Sequence, residues 1–227
     1  MSEQLSIIVP VHNESKHILH FLKHLQTQAS LEHEIIVVDG ESTDGTVSLI
    51  KSQKEITVIQ AKKRRAIQLN EGANCAKNEW LFFVHADTIL PYHFDRLLLK
   101  NLKSKKTARC FSLNFDLDHF SLKIAALGSR LNIAWCRGGD QTLMIHKELF
   151  NDIEGFDEQY NIAEDLLLCR KIYRHGNFEI LSKSVITSGR KFFQNGVFKT
   201  QLRHIVVRIM IFSGLNYKKL NAYSKKW

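Results

Sequence analysis

Apolar positions along the chain follow two successive rhythms. Residues 5–10, 34–39, 56–60 and 80–85 are short, nearly continuous apolar runs, each followed by polar, helix-compatible sequence. Runs without polar alternation suit strands covered on both faces, and their interleaving with helices predicts right-handed βαβ units around a parallel sheet. Helices are expected over residues 14–29, 44–52, 65–76 and 91–102; in the first, Ile18, Phe21, Leu22 and Leu25 recur at helical spacing. Beyond Leu102 the pattern changes to a strand over 108–115, a helix over 122–134, a strand over 141–145 and a helix over 163–175. Last, residues 197–215 carry Phe198, Leu202, Ile205, Ile209 and Phe212 as a stripe, with Lys199, Arg203, His204 and Arg208 between them. That is an amphipathic basic helix, which can pack its stripe on the domain or lie in an anionic membrane interface; packing is the expectation.

With 227 residues, 44% of them hydrophobic, the chain can bury one sizeable core, and two prolines with no Ser/Gly-rich linker mark no internal boundary. One domain over 1–227 is expected, in three parts: 1–107, 108–191 and a basic segment 192–227. No run reaches the roughly 18–20 apolar residues of a membrane span, and the first residues lack a basic patch before a hydrophobic stretch, so a cytoplasmic protein is expected. Cys75, Cys110, Cys136 and Cys169 stand singly, without zinc-site or disulfide spacing.

The net charge of +9 is concentrated in the tail, because every charged residue from Arg190 onward is Lys or Arg: Arg190, Lys191, Lys199, Arg203, Arg208, Lys218, Lys219, Lys225 and Lys226. A neutral body with a basic tail argues against nucleic acid and for a local anionic partner, a diphosphate or an acidic lipid surface.

In an open parallel sheet, ligands bind beyond the carboxyl ends of the strands. Those ends are acidic here: Pro10-Val11-His12-Asn13-Glu14, Asp39-Gly40-Glu41-Ser42-Thr43-Asp44-Gly45-Thr46 and His85-Ala86-Asp87-Thr88. The first turn has no glycine and the chain has no Gly-x-x-x-x-Gly-Lys loop, so dinucleotide and P-loop sites are poor readings. Carboxylates at Asp39 and Asp87 are placed to accept from a nucleoside or to coordinate a divalent cation. Asp44 reads as a helix N-cap or first-turn residue. His17, His20 and His24 share a helical face but lack a carboxylate or thiolate at the same spacing, and read as solvent-exposed.

Ser6 to Glu14, Ile36 to Thr46 and His85 to Thr88 resemble the three donor-side motifs of family 2 glycosyltransferases of the GT-A fold. Arg65-Ala-Ile-Gln68-Leu-Asn70-Glu-Gly72-Ala73, Gly139-Asp140-Gln141, Gly155-Phe156, Glu164-Asp165 and Thr187-Ser188-Gly-Arg190-Lys191 are similar to the radical-SAM/selenodomain-associated, arsenosugar-biosynthesis-type subgroup. The resemblance implies an α/β GT-A fold whose Rossmann-like, mostly parallel central sheet is flanked by helices. Residues 1–107 would bind the nucleotide sugar and 108–191 would form the acceptor and catalytic half. It further implies an inverting transferase moving a sugar from a nucleotide-diphosphate donor, uridine-linked, to an acceptor hydroxyl with Mg²⁺ or Mn²⁺ as cofactor.

Residue by residue, the resemblance gives Pro10, Glu14 and Asp39 to the nucleoside side and Arg65 to the donor diphosphate. His85 and Ala86 flank Asp87, the ligand of the bridging cation. Gly139, Asp140, Gln141 and Glu164 go to the acceptor side, Asp165 is the general base, and Arg190 and Lys191 approach the diphosphate. Glycosyl transfer needs this division, since a cation and Arg stabilise the charge gathering on the leaving diphosphate while a carboxylate takes the acceptor proton. His85 stands where many relatives have aspartate, and reads as a metal ligand, a hydrogen-bond partner or a strand-end residue. A catalytically idle nucleotide- or lipid-surface-binding module on the same fold is the alternative. A nucleotidyltransferase would need a Gly-rich first loop, which residues 10–14 do not supply.

Overall fold

The computed structural model describes residues 4–225, apart from the side chains of Lys191 and Gln194. Four βα units open the chain: β1 (Leu5–Val11), α1 (Ile18–Gln28), β2 (Glu34–Asp39), α2 (Thr46–Lys51), β3 (Ile56–Gln60), α3 (Arg65–Cys75), β4 (Trp80–Phe83), β5 (Thr88–Ile89) and α4 (Phe94–Leu99). There follow β6 (Thr107–Phe115), α5 (Phe120–Gly128), β7 (Leu143–His146), α6 (Lys147–Asp152), α7 (Glu164–His175), β8 (Asn177–Thr187), α8 (Arg190–Asn195), α9 (Val197–Phe212) and α10 (Tyr217–Ser224). Short 3-10 turns cover Ala134–Cys136 and Gly139–Gln141.

All eight strands form one sheet in the order β3-β2-β1-β4-β7-β6-β8-β5. Pairing is parallel from β3 through β4 and between β6 and β8; β7 runs antiparallel to both β4 and β6, and β5 antiparallel to β8. Alternate side chains of β1 enter two cores: Leu5, Ile7 and Val9 meet α1, and Ile8 meets α3 through Leu69 and Ala73. Such two-sided burial is why the first strands read as unbroken apolar runs. Pro10 sits inside this sheet without loss, because β1–β4 pairing ends at Ile8 opposite Phe83 and Pro10 lies beyond it. The sheet therefore opens between β1 and β4, where the chain order reverses, and that crevice is where open α/β sheets place ligands.

The four leading strands and the helices between them stand where the apolar pattern places them, with trimmed ends. β4 leaves the sheet after Phe83, so that 85–87 form a turn closed by the Thr88 amide on the His85 carbonyl (3.1 Å). Helix α5 stops at Gly128, short of the expected 134. Four elements the pattern does not announce are β5, β8, α6 and α10, and α8 straddles the expected 191/192 boundary.

The expected packing of the C-terminal stripe is overturned. Helix α9 buries Val207 and Ile211 against Leu166 of α7 and Leu220 of α10, while Phe198, Leu202, Ile205 and Ile209 are largely exposed and Phe212 packs its ring on Trp135 and Arg170. At 100° per residue these two sets lie on opposite sides of the helix, and the smaller one is the inner face.

Candidate active site

Seven of the expected site residues meet at the carboxyl edge of the sheet. A cavity of about 550 Å³ is lined by Arg65 at the start of α3, His85 and Asp87 in the β4–β5 turn, Asp140 before β7, and Glu164 and Asp165 in the first turn of α7; Gly139 lies in its wall. The antiparallel β7 explains the convergence, since its amino end, with Gly139 and Asp140 just before it, shares the edge with the carboxyl ends of β1 and β4.

The carboxylates interlock with the basic groups. Glu164, nearly buried, lies 3.7 Å from the Arg65 guanidinium, and Asp140 lies 3.3 Å from the His85 ring. The His85 ring thus faces the Asp140 carboxylate across the cavity wall. Burial works against the charge of Arg65, yet Glu164, Asp165, Asp140 and Asp87 together raise its pKa. Burial pushes the Glu164 carboxyl above the ordinary range and repulsion from Asp165 adds to this, against the pull of Arg65. Asp165 is also raised, chiefly by burial, with His85 and Arg65 opposing and Asp140 adding. The amino end of α7 would by itself favour ionised acids; removal from water outweighs it.

Glycine at 139 is a steric requirement. A Cβ there would stand 2.5 Å from Asp165 Cγ and closer still to Oδ2, so the carboxylate rests directly on the Gly139 backbone. That loop is held from behind by Arg137, which is 1% exposed and donates to the carbonyls of Ser129 and Leu131 (both 2.6 Å) and to Cys110 Sγ (3.2 Å).

Other expected residues stand apart from this cavity. Ala86 and Arg190 line a neighbouring hollow of about 310 Å³ with His17, His20 and His24; Asp87 borders both. Arg190 contacts Glu14 (4.0 Å) and His17 (3.1 Å), which ties the start of α8 to the end of β1. His24 holds the backbone of Leu90, so this histidine serves the fold. Asp39 is fully buried at the end of β2: its Oδ2 accepts from the Ser42 amide (3.1 Å), and its Oδ1 has no hydrogen-bond partner among the described residues. Gln141 does not face the cavity, because its amide is spent on the Phe111 and Ser129 carbonyls. Asp44 binds the Ser15 and Thr46 amides and the Thr46 hydroxyl, which hold its pKa far below the usual range; it fixes the loop one residue ahead of the α2 N-cap. Pro10 lies within β1, and the Lys191 side chain is outside what is described.

Lys63, Thr187, His204 and Arg208 also line the cavity and were not among the expected site residues. His204 and Arg208, four residues apart on α9, were the discoverable pair, a basic couple on one flank of an apolar stripe.

No group of three or more His, Cys, Asp or Glu among the described residues is arranged to enclose an ion. The donor set does suit a hard divalent cation shared with a ligand, since Mg²⁺-type ions are commonly held by one or two carboxylates plus substrate phosphates. Asp87, with a partly open side chain on the cavity wall, is that kind of donor.

An open, mostly parallel α/β sheet with an acid-lined crevice at its topological switch, a turn carrying Asp87 and no phosphate-binding glycine loop have the architecture of the GT-A fold. Residues 6–152 match the model of glycosyl transferase family 2, and the chain belongs to that family. It is 29% identical over 204 residues to the glycosyltransferase GlyG of Streptococcus pneumoniae, covering 76% of this chain and 68% of that one. An uncharacterized glycosyltransferase of Haemophilus influenzae is 26% identical over 186 residues, 77% of this chain and 63% of that one. Among solved structures, the mannosyltransferase PcManGT of Pyrobaculum calidifontis in complex with GDP-Man and Mn²⁺ superposes with a TM-score of 0.64 at 22% identity, over 80% of this chain and 56% of that one. TarS of S. aureus, residues 1–349 with UDP-GlcNAc, gives 0.64 at 18% identity, over 82% and 58%. The chain thus spans about two thirds of the relatives' length and little more than half of the solved neighbours'.

Proposed function

We propose that this glycosyltransferase moves a sugar from a uridine-diphosphate donor to an acceptor hydroxyl with inversion, Asp165 acting as general base. The observation that carries the reading is the shared cavity: Asp87, Arg65 and Asp165 line one cleft at the mouth of the sheet. Asp165 takes the acceptor proton as the acceptor oxygen attacks the anomeric carbon. The bond to the diphosphate breaks, and the diphosphate leaves with the electron pair toward Arg65. Attack from the side opposite the leaving group gives inversion. A carboxyl pKa raised by burial makes Asp165 a stronger base than an exposed aspartate.

Asp87 and the donor's own phosphate oxygens would hold Mg²⁺ or Mn²⁺, and the ion would neutralise charge on the departing diphosphate. Glu14 and Asp39 would face the nucleoside; the unpartnered Asp39 Oδ1 suits a base that presents an N–H, as uracil does. Arg190 and Lys191 would border the diphosphate, and Gly139, Asp140 and Glu164 the acceptor. The motifs from Arg65 to Lys191 support membership of the arsenosugar-biosynthesis-type subgroup. No helix among the described residues is long and apolar enough to cross a membrane; peripheral contact with an anionic membrane surface through the C-terminal segment belongs to the same reading.

The test is nucleotide-sugar turnover by wild type, Asp87→Ala and Asp165→Asn with Mn²⁺, beside calorimetry with uridine diphosphate. Both variants should lose turnover, Asp165→Asn while still binding the diphosphate. Full metal-dependent turnover by both would refute the site. Diphosphate binding with no turnover across a donor panel would favour the idle module.

A further inference from the structure

A second cavity, of about 320 Å³, opens beside the acidic one and is lined mainly by apolar side chains. Leu113 and Phe115 of β6, Ile124, Ala125 and Gly128 of α5, Trp135, and Ile205 of α9 form its walls. Gly138, Asp140, Phe192, His204 and Arg208 line both cavities, so the apolar one runs into the catalytic cleft from the acceptor side. Its mouth is flanked by two helices that each turn an apolar stripe outward. On α5, Phe120, Ile124 and Leu127 are 76%, 54% and 61% exposed; on α9, Phe198, Leu202, Ile205 and Ile209 are 75%, 62%, 46% and 53% exposed. The helices touch through Gln201 and the Ser121 carbonyl (2.9 Å) and through the His119 and Phe198 rings (5.4 Å). Ile124 and Ile205 belong at once to the stripes and to the cavity wall, which makes surface and cavity continuous.

Paired outward apolar stripes on neighbouring helices mark a contact surface rather than scattered exposed residues. Its occupant is indicated by charge. Lys199 and Arg203 border the outward α9 stripe, and residues 190–227 contain no acid. On the α5 side the exposed Asp118 is paired with Lys123 (2.7 Å), and an apolar ridge whose unpaired edge is basic fits an anionic bilayer, with basic side chains at the headgroups and Phe, Leu and Ile below them.

We infer that the acceptor is an amphiphile drawn from an anionic bilayer, its apolar chain seated between α5 and α9 and its hydroxyl delivered past Asp140 to Asp165. This rests on the transferase reading above and adds the class of acceptor. Gly128 is the point of test. A Cβ there would have Cys136 Sγ at 3.9 Å as its near neighbour, so Gly128→Leu fills the cavity without a backbone clash and raises helix propensity.

Bromoundecanol is the probe, since bromine on its chain quenches nearby indole and Trp135 lines the cavity. Titration of the full chain should give saturable quenching that is lost in Trp135→Phe and weakened at least tenfold in Gly128→Leu. In vesicle sedimentation, Ile124→Glu with Ile205→Glu, both at exposed positions, should abolish binding to phosphatidylglycerol vesicles. With donor and Mn²⁺, undecanol should accept sugar with at least tenfold higher kcat/KM than propanol, a preference that Gly128→Leu erases. Unsaturable quenching, quenching indifferent to Gly128→Leu, or equal use of the two alcohols would overturn the inference. Quenching needs neither donor nor metal, so its loss removes the chain site alone, whereas absence of donor turnover in the wild type removes the transferase reading.

Discussion

Replacing Gly139 with alanine tests the base assignment without touching an ionisable group. The added Cβ would lie 2.5 Å from Asp165 Cγ and 3.0 Å from Oδ1. Carbon atoms sit comfortably at about 3.5 Å or more, so the carboxylate must retreat by about 1 Å. Retreat is hindered, because Asp165 is anchored in the first turn of α7 between buried Glu164 and Leu166. A displacement of about 1 Å at a reacting group costs on the order of 10²-fold in rate, equivalent to about 2.7 kcal/mol of transition-state stabilisation. Steady-state kinetics on Gly139→Ala should show kcat down by about that factor, with uridine diphosphate affinity unchanged, since Glu14, Asp39 and Arg65, proposed to hold the nucleotide, stand on other elements. A variant that keeps wild-type kcat would refute the claim that Asp165 acts from this position.

Three further outcomes follow from the same geometry. The base must be ionised and its pKa is raised, so kcat/KM should fall as pH drops through a value above the ordinary aspartate range of about 4; Asp140→Asn, which removes a neighbouring negative charge, should move that acid limb to lower pH. In Gly72→Ala the Cβ would collide with Ile8 Cγ2 and meet Val38 Cγ2 at 3.0 Å, so α3 must lift from β1 and β2, at about 1–3 kcal/mol read by thermal or urea unfolding. Arg137→Met removes the Nη2 bonds to the Ser129 and Leu131 carbonyls, which keep the Gln141 side-chain amide and the Ile133 N–H as donors, at about 0.5–1.5 kcal/mol each, together with the Nη1 bond to Cys110 Sγ; the variant should lose stability in unfolding and lower kcat through the loosened Gly138–Asp140 loop.

The front half was readable because its strands are buried on two faces and its motifs lie at strand ends, where topology alone fixes the ligand edge. The second half was less so, for identifiable reasons. Strand β8 carries Glu179, Ser182, Lys183 and Ser184 and slips register opposite Phe111 and Ser112, so neither an apolar run nor a clean alternation marks it. Part of its polarity answers a partner that the local sequence does not show, Glu179 pairing with Arg109 across the sheet at 2.8 Å. Gln141 stood in a promising motif, yet the fold turned its amide to two interior carbonyls. Helix α9 has an apolar stripe and, opposite, a shorter apolar face, and which of them is buried depends on Leu166 and Leu220 reaching the smaller one.

The match to the family model ends at residue 152, while Glu164, Asp165 and the whole α9 face lie beyond it. The residues proposed to hold the donor, from Glu14 to Asp87, thus lie within the match, and the segments with Asp165 and α9 lie outside it. In this chain those segments are mechanically joined. Val207 and Ile211 clamp α9 onto Leu166, the residue after Asp165, and Arg170 of α7 donates to the Ile211 carbonyl (2.7 Å). A helix held there on its inner side presents its stripe outward and His204 and Arg208 to the cleft, so the outer stripe is one helix away from the turn that carries Asp165.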